Sequence, residues 1–265
     1  AVSHQVRQLE AELGFELFTR GGRTLALTRQ GRELLQSAGQ AFTGLEGEIL
    51  RLRRRDSGQI TIGMATYFAS RWLSPRLMTF ITRHADVGLR IQPLLDLSDL
   101  SDNDLDLAVR WGRGGWQDRN MRVELIFPCA AMLTSNAEIG RIIESEGIES
   151  VLSQQTLLHD HDDSRAWNDW FSAAGIAWSP GPHKLVIPDP NVRVQAVMDG
   201  QGIALYDSLV ADEVQAGRLY QYESVRLSDY GYYLIYPQDI ESIPAVMTFR
   251  DWIMQEARDY NLPLK

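Results

Sequence analysis

The sequence predicts an α/β protein, with two small α/β lobes behind a helical head and one long helix. Two observations lead there. Residues 1–57 contain two stretches with apolar side chains at helical spacing, parted by a short hairpin. From Gln59 onward, short apolar runs alternate with amphipathic stretches, as when strands and helices take turns and form parallel sheets. The roughly 205 residues of that second pattern fit two lobes better than one sheet.

The elements follow in order. Val2, Val6, Leu9 and Leu13 recur at steps of four, three and four, which predicts a helix over 1–14 with these four facing a core. It begins without a cap, so an earlier element is expected to be cut away. Phe15–Thr19 and Thr24–Thr28 flank Arg20-Gly21-Gly22-Arg23 and read as a hairpin with a basic tip. Thr28 suits the N-cap of the next helix, 29–55. There Leu35, Ala38, Phe42, Leu45, Ile49 and Leu52 form a heptad seam. Such a seam pairs with a second helix or lies on its own core. Strands are then expected at 60–64, 89–95, 106–110, 123–127, 130–134, 156–159, 184–187, 203–206 and 232–236. Helices are expected at 72–83, 139–146, 165–174, 191–199, 209–216 and 244–260.

Composition narrows the function. The chain has 265 residues, of which 44% are apolar and 23% charged, which excludes general disorder. No apolar run reaches the ~20 residues that span a bilayer, so no membrane partner is expected. Cys129 is the only cysteine, which excludes a disulfide framework. With no signal-peptide pattern at the start, it points to a reducing compartment, the cytoplasm. Cys129 reads as a packing residue rather than a nucleophile. The formal charge is -9 but unevenly spread: residues 1–57 hold nine Arg against seven Asp and Glu. A basic head on an acidic body suits a nucleic-acid-facing module.

Particular residues then carry a resemblance. The run Ala1-Val2-Ser3-His4-Gln5-Val6-Arg7-Gln8-Leu9-Glu10, with Glu12-Leu13-Gly14, Leu17-Phe18, Arg20, Gly22-Arg23, Leu27-Thr28 and Gly31, resembles the later half of the winged helix-turn-helix of LysR-type transcriptional regulators. Asp104–Gly112, Ala196–Leu205 and Ala216–Leu219 resemble that family's effector domain. Leu158–Asp160, Trp167–Trp170 and Tyr232–Leu234 resemble the subgroup of the glycine-cleavage and β-lactamase regulators.

The resemblance implies a partial winged helix-turn-helix (1–28) and a dimerisation helix (29–57). It also implies a periplasmic-binding-protein-like effector domain of lobe I (58–134 with 236–265) and lobe II (135–235). It implies a homodimer or homotetramer on double-stranded promoter DNA. Ser3, His4 and Arg7 would meet base edges or phosphates, and Arg20 and Arg23 would straddle a phosphate. Leu35, Phe42, Leu45, Ile49 and Leu52 would form the dimer seam.

Ligands in such clefts meet strand ends and helix starts. Thr66, Tyr67, Ser98, Trp111, Asp160, His161, Asn191, Tyr206 and Asp207 sit there. Aromatic faces with carboxylates suit a cationic ligand, an amine or an amino acid; helix N-termini could add a carboxylate partner. For Trp111 core packing competes with this reading, and for Asp207 helix capping does. His159–Asp163 mixes metal-ligating types, but side chains alternate along a strand, and no metal or other cofactor is expected. No phosphate loop, nucleophile elbow or zinc helix is present, so no enzymatic activity is expected. A solute-binding protein without DNA function is the alternative.

Overall fold

The computed structural model describes residues 2–19, 25–56, 58–94, 105–116, 120–162, 165–177 and 184–260, with side chains at 46–48 and 50–56 left aside. The chain divides into two units, Ala1–Asp56 and Ser57–Lys265.

In the first unit, α1 is Val2–Leu13 and α2 is Arg29–Asp56. Between them lies the hairpin, closed by an antiparallel bridge of Phe18 with Leu27. Its base is fixed from α1: the buried Glu10 carboxylate accepts the Leu17 amide at 2.7 Å and the Phe18 amide at 3.2 Å. Thr28 caps α2, its hydroxyl accepting the Gly31 amide at 2.9 Å. Gly31 must be glycine, because a Cβ there would stand 2.2 Å from the Leu17 carbonyl oxygen. One expectation is corrected. Val2, Leu9 and Leu13 are exposed and Val6 is only partly covered. An apolar stripe is buried only when an apolar surface faces it, and the sole buried apolar side chain described in this unit is Leu17.

Among the described residues, the second unit holds ten strands. β1 is Gln59–Met64, β2 Gly88–Pro93, β3 Leu107–Gly112, β4 Met121–Pro128 and β5 Ala131–Asn136. β6 is Leu157–His159, β7 Lys184–Val186, β8 Ala204–Tyr206, β9 Leu219–Leu227 and β10 Gly231–Pro237. The first sheet runs β2-β1-β3-β10-β4. The second runs β8-β5-β9, and β6 and β7 form a parallel pair. The sheets are mixed rather than parallel: β1 pairs in parallel with β2 and β3, but β10 is antiparallel to both its neighbours and β5 to both of its own. The antiparallel strands are those that follow the two passages between sheets. The chain crosses between Pro128 and Ala131 and returns between Leu227 and Gly231, a few residues ahead of the positions read from the sequence.

Helices cover the sheets. α3 is Thr66–Phe68, followed without a break by a π-helical turn, Ala69–Leu73, and α4, Ser74–Arg83. This run starts six residues before the expected helix, because Thr66–Arg71 lack an apolar period. α5 is Ala137–Glu146, capped by the Asn136 side chain, and α6 is Ile148–Gln154. α7 is Arg165–Ala174, α8 Pro190–Met198, α9 Ala211–Gln215 and α10 Pro244–Asp259. Neither α6 nor β9 was expected; the solvent-facing stretch of β9 disguises its alternation. Trp72, Phe80 and Phe249 centre the first lobe's core, and Trp167, Trp170 and Leu133 the second's. Cys129 is buried within the core, and burial holds its thiol protonated well above the ordinary range.

Gly202 sits at φ +153, where a Cβ would meet the Thr156 carbonyl oxygen at 2.2 Å. That carbonyl accepts the Ile203 amide and ties β6 to β8. Gly202→Ala should therefore destabilise the second unit by about 1–3 kcal/mol, read as a lower Tm in thermal unfolding.

Candidate functional site

A cavity of about 650 Å³ lies where the two sheets' lobes meet. The first lobe supplies Ala65, Tyr67, Phe68, Leu94, Val109, Arg110, Trp111 and Tyr232. The second supplies the β6 end and the following turn (Leu158, Asp160, His161, Asp162), Ala166 and Trp167 of α7, Pro188, Pro190 and Arg193, and Leu205–Asp207.

The buried carboxylate of Asp207 joins the lobes. It stands just past β8, yet accepts the Tyr67 hydroxyl at 2.7 Å and the Tyr232 hydroxyl at 2.6 Å, both from the first lobe. Its third donor is the Leu209 amide at 2.9 Å, which makes it the cap of the following 3₁₀ turn. Burial raises the Asp207 pKa, and the tyrosine hydrogen bonds oppose the rise. Burial also pushes Tyr67 and Tyr232 well above the ordinary tyrosine value, reinforced by the Asp207 charge. Two further contacts run alongside. Arg71, in the π-helical turn, donates from one nitrogen to both Glu213 carboxylate oxygens, at 2.7 and 2.9 Å. The Thr66 hydroxyl donates to Asp189 at 3.3 Å and accepts from the Asn191 amide group at 3.0 Å. Three residues of one helical run thus engage three carboxylates of the other lobe.

A second cross-lobe contact is exposed. Arg113, beyond β3, pairs with Asp169 of α7 at 3.3 Å and with Asp229 at the return crossing. Tyr230 donates to Asp169 at 2.5 Å, and Trp111 lies against Tyr230 with centroids 4.4 Å apart.

The sequence-derived residues divide as follows. Tyr67, Trp111, Asp160, His161, Tyr206 and Asp207 all line the cavity. Trp111 lies inside β3 rather than after it, and its indole nitrogen donates to the Cys129 carbonyl at 3.0 Å. Thr66 and Asn191 are not among the lining residues; they bond each other beside it. Asn191 does not cap α8. Asp189 does, accepting the Asn191 and Val192 amides at 2.8 and 3.1 Å, so that helix end already holds its anion. Ser98 lies outside the described residues. Sequence reading missed Phe68, Arg110, Asp162, Trp167, Arg193 and Tyr232. Arg110 and Tyr232 sit on strands, where alternation gives no sign of which face meets a cleft. Arg193 is one turn into a helix.

In the head, Ser3, His4 and Arg7 are exposed on α1, and Arg20 and Arg23 lie outside the described residues. On α2, Leu35, Phe42, Leu45 and Ile49 are exposed, and the Leu52 side chain lies outside those described. Among the described residues, no group of three His, Cys, Asp or Glu is placed to hold a metal ion, and no helix is long and apolar enough to cross a membrane.

A helix-and-hairpin head with exposed polar residues, ahead of two lobes that enclose a cavity, is the architecture of a ligand-responsive DNA-binding regulator. Comparison with known proteins agrees. Residues 1–32 match the lysR family of bacterial regulatory helix-turn-helix proteins, and residues 53–258 match the LysR substrate binding domain. The chain belongs to the LysR family of transcriptional regulators. It is 30% identical over 266 residues to the glycine cleavage system transcriptional activator of Escherichia coli K12, covering 97% of this chain and 84% of that one. It is 33% identical over 263 residues to the transcriptional activator AmpR of Rhodobacter capsulatus, covering 98% and 88%. The AmpR effector domain of Pseudomonas aeruginosa superposes with a TM-score of 0.65 at 24% identity, over 77% of this chain and 96% of that one. CrgA, the LysR-type regulator of Neisseria meningitidis, superposes with a TM-score of 0.61 at 21% identity, over 97% and 88%. The protein is thus a DNA-binding transcriptional regulator with a small-molecule effector domain.

Alkali should test the Asp207 cluster. Above the ordinary tyrosine pKa of 10.0, the unfolded chain releases the Tyr67 and Tyr232 protons while the folded chain keeps them. Folded protein then holds more protons, so stability present below that pH is lost as the pH rises. The Tm should fall through this range, and fall less steeply in Tyr67→Phe/Tyr232→Phe. At pH 7 each single Phe variant should lose about 1–3 kcal/mol, for a donor removed from a buried carboxylate.

Proposed function

We propose that the effector of this regulator is an amine or amino acid that binds in the inter-lobe cavity and changes how two DNA-binding heads sit on an operator. The carrying observation is the set of side chains on the cavity wall: the Asp160 carboxylate, the rings of Tyr67, Trp111, Tyr206 and Tyr232, and Arg110 and Arg193 as cations, with the exposed Asp162 already paired to Lys184. Carboxylates with ring faces suit an ammonium group. The guanidinium groups suit a carboxylate in forked geometry. Together they favour a zwitterion over a simple carboxylate.

In this reading residues 1–28 read DNA and 29–57 pair two chains. The two lobes, parted at the crossings between Pro128 and Ala131 and between Leu227 and Gly231, hold the effector without transforming it. The oligomer is a homodimer or homotetramer in the cytoplasm. Ser3, His4 and Arg7 meet the operator, with Arg20 and Arg23 on its phosphates. The exposed Leu35, Phe42, Leu45 and Ile49 support the pairing helix, because a row of exposed apolar side chains at heptad spacing is stable in water only when covered.

Three outcomes are expected. Amines and amino acids raise the Tm in a thermal-shift screen while simple carboxylates do not, and the ligand is recovered unchanged after incubation; a shift by carboxylates alone contradicts the charge argument. Arg7→Ala in the whole regulator weakens operator binding by about 1–3 kcal/mol if Arg7 reads a base, whereas equal weakening on every sequence assigns it to phosphate. Leu45→Glu halves the mass measured by light scattering, and an unchanged mass removes the seam.

A further inference from the structure

The cavity's aromatic wall has no hydrogen left to donate. Tyr67 and Tyr232 donate their hydroxyls to Asp207. Tyr206 donates to the Pro190 carbonyl at 2.7 Å. Trp111 and Trp167 donate their indole N–H groups to the Cys129 and Leu158 carbonyls, each at 3.0 Å. Phe68, the remaining ring, has no polar atom. What the wall offers a ligand is ring faces and edges. Ligand acceptors must turn to Arg110, Arg193 or His161, and a ligand cation to Asp160, since Asp162 is exposed and paired with Lys184. The polar groups of the wall are thus its charged side chains and not its phenols or indoles. A ligand with charged ends and an apolar body matches it, and an aromatic body gains offset or edge contacts with the rings. At about 650 Å³ the space lies within the range of about 300–1,000 Å³ that encloses drug-sized ligands and leaves a small amino acid loosely held.

We propose that the effector is an α-amino acid, or a zwitterion like one, with an aromatic body. This rests on the reading that the cavity is the effector site for an amine or amino acid. The ring of Tyr206 is a specificity-determining surface through its face: it carries the Arg193 guanidinium 5.6 Å from its centroid and packs 5.6 Å from the Tyr67 ring.

The test is titration calorimetry of the whole chain with L-phenylalanine, L-tryptophan, glycine, L-serine, 2-phenylethylamine, phenylacetate and glucose. The aromatic amino acids should bind at least tenfold more tightly than glycine, serine or either one-ended analogue. Glycine or serine binding as tightly as phenylalanine overturns the aromatic body and leaves the amino-acid reading standing. Phenylacetate or glucose binding where no amine or amino acid binds overturns both, and so does silence across the panel. For the tightest amino acid, Tyr206→Leu should weaken binding at least tenfold and Tyr206→Phe should restore most of it, with Tm confirming that both variants fold. Failure of Phe to restore it assigns recognition to the hydroxyl and contradicts the proposal.

Discussion

One buried carboxylate ties the two lobes of the effector domain to each other. Asp207 leaves the end of β8 in the second lobe and takes hydrogen bonds from two tyrosines of the first. A carboxylate out of water is costly unless its oxygens are engaged, and each engaged oxygen here ties one lobe to the other. The arrangement therefore stabilises one relative placement of the lobes. Any shift that parts Tyr67 or Tyr232 from Asp207 leaves a buried acceptor unpaired, so small displacements are disfavoured and two discrete states are preferred over a continuum.

The cavity inherits its chemistry from that tie. Because the tyrosine hydroxyls face Asp207, they do not face the ligand. Five rings of the wall are phenols or indoles, yet their hydrogens are all engaged within the protein. The exposed Arg113–Asp169–Asp229 contact links the same lobes with little burial. Exposed pairs of this kind contribute about 0–1 kcal/mol, so this contact can adjust where the Asp207 cluster cannot. A ligand against Trp111 touches the residue packed on Tyr230, which joins that exposed contact. In the proposed mode of binding, this would be a physical route from the ligand to the crossing segments.

Much of this was legible in the sequence, for physical reasons. α1, the pairing of Phe18 with Leu27 and α2 follow from apolar spacing, two short apolar stretches and a Thr cap, all local signals. Six of the nine residues placed at strand and helix ends line the cavity, since topology sends those ends to the cleft. Local pattern does not encode which strand pairs with which, so the mixed sheets were missed. β9 was missed because its middle faces solvent. Arg110, Arg193 and Tyr232 were missed because a side chain reaches a cleft through a non-local arrangement of lobes. The bonding of Asp207 to tyrosines 140 and 25 residues away in the chain has no sequence signature.

The central claim is that the cavity's occupant changes how the regulator holds DNA. The direct measurement is a linkage experiment. A duplex enriched by the protein from a random-sequence pool is titrated with and without a saturating amino acid that raises the Tm. The amino acid is then titrated with and without the duplex. Coupling requires the same factor in both directions, about 5–150-fold for ordinary allosteric proteins. Equal, non-unit factors are the result this account predicts. An amino acid that binds the cavity while leaving DNA affinity unchanged would contradict it.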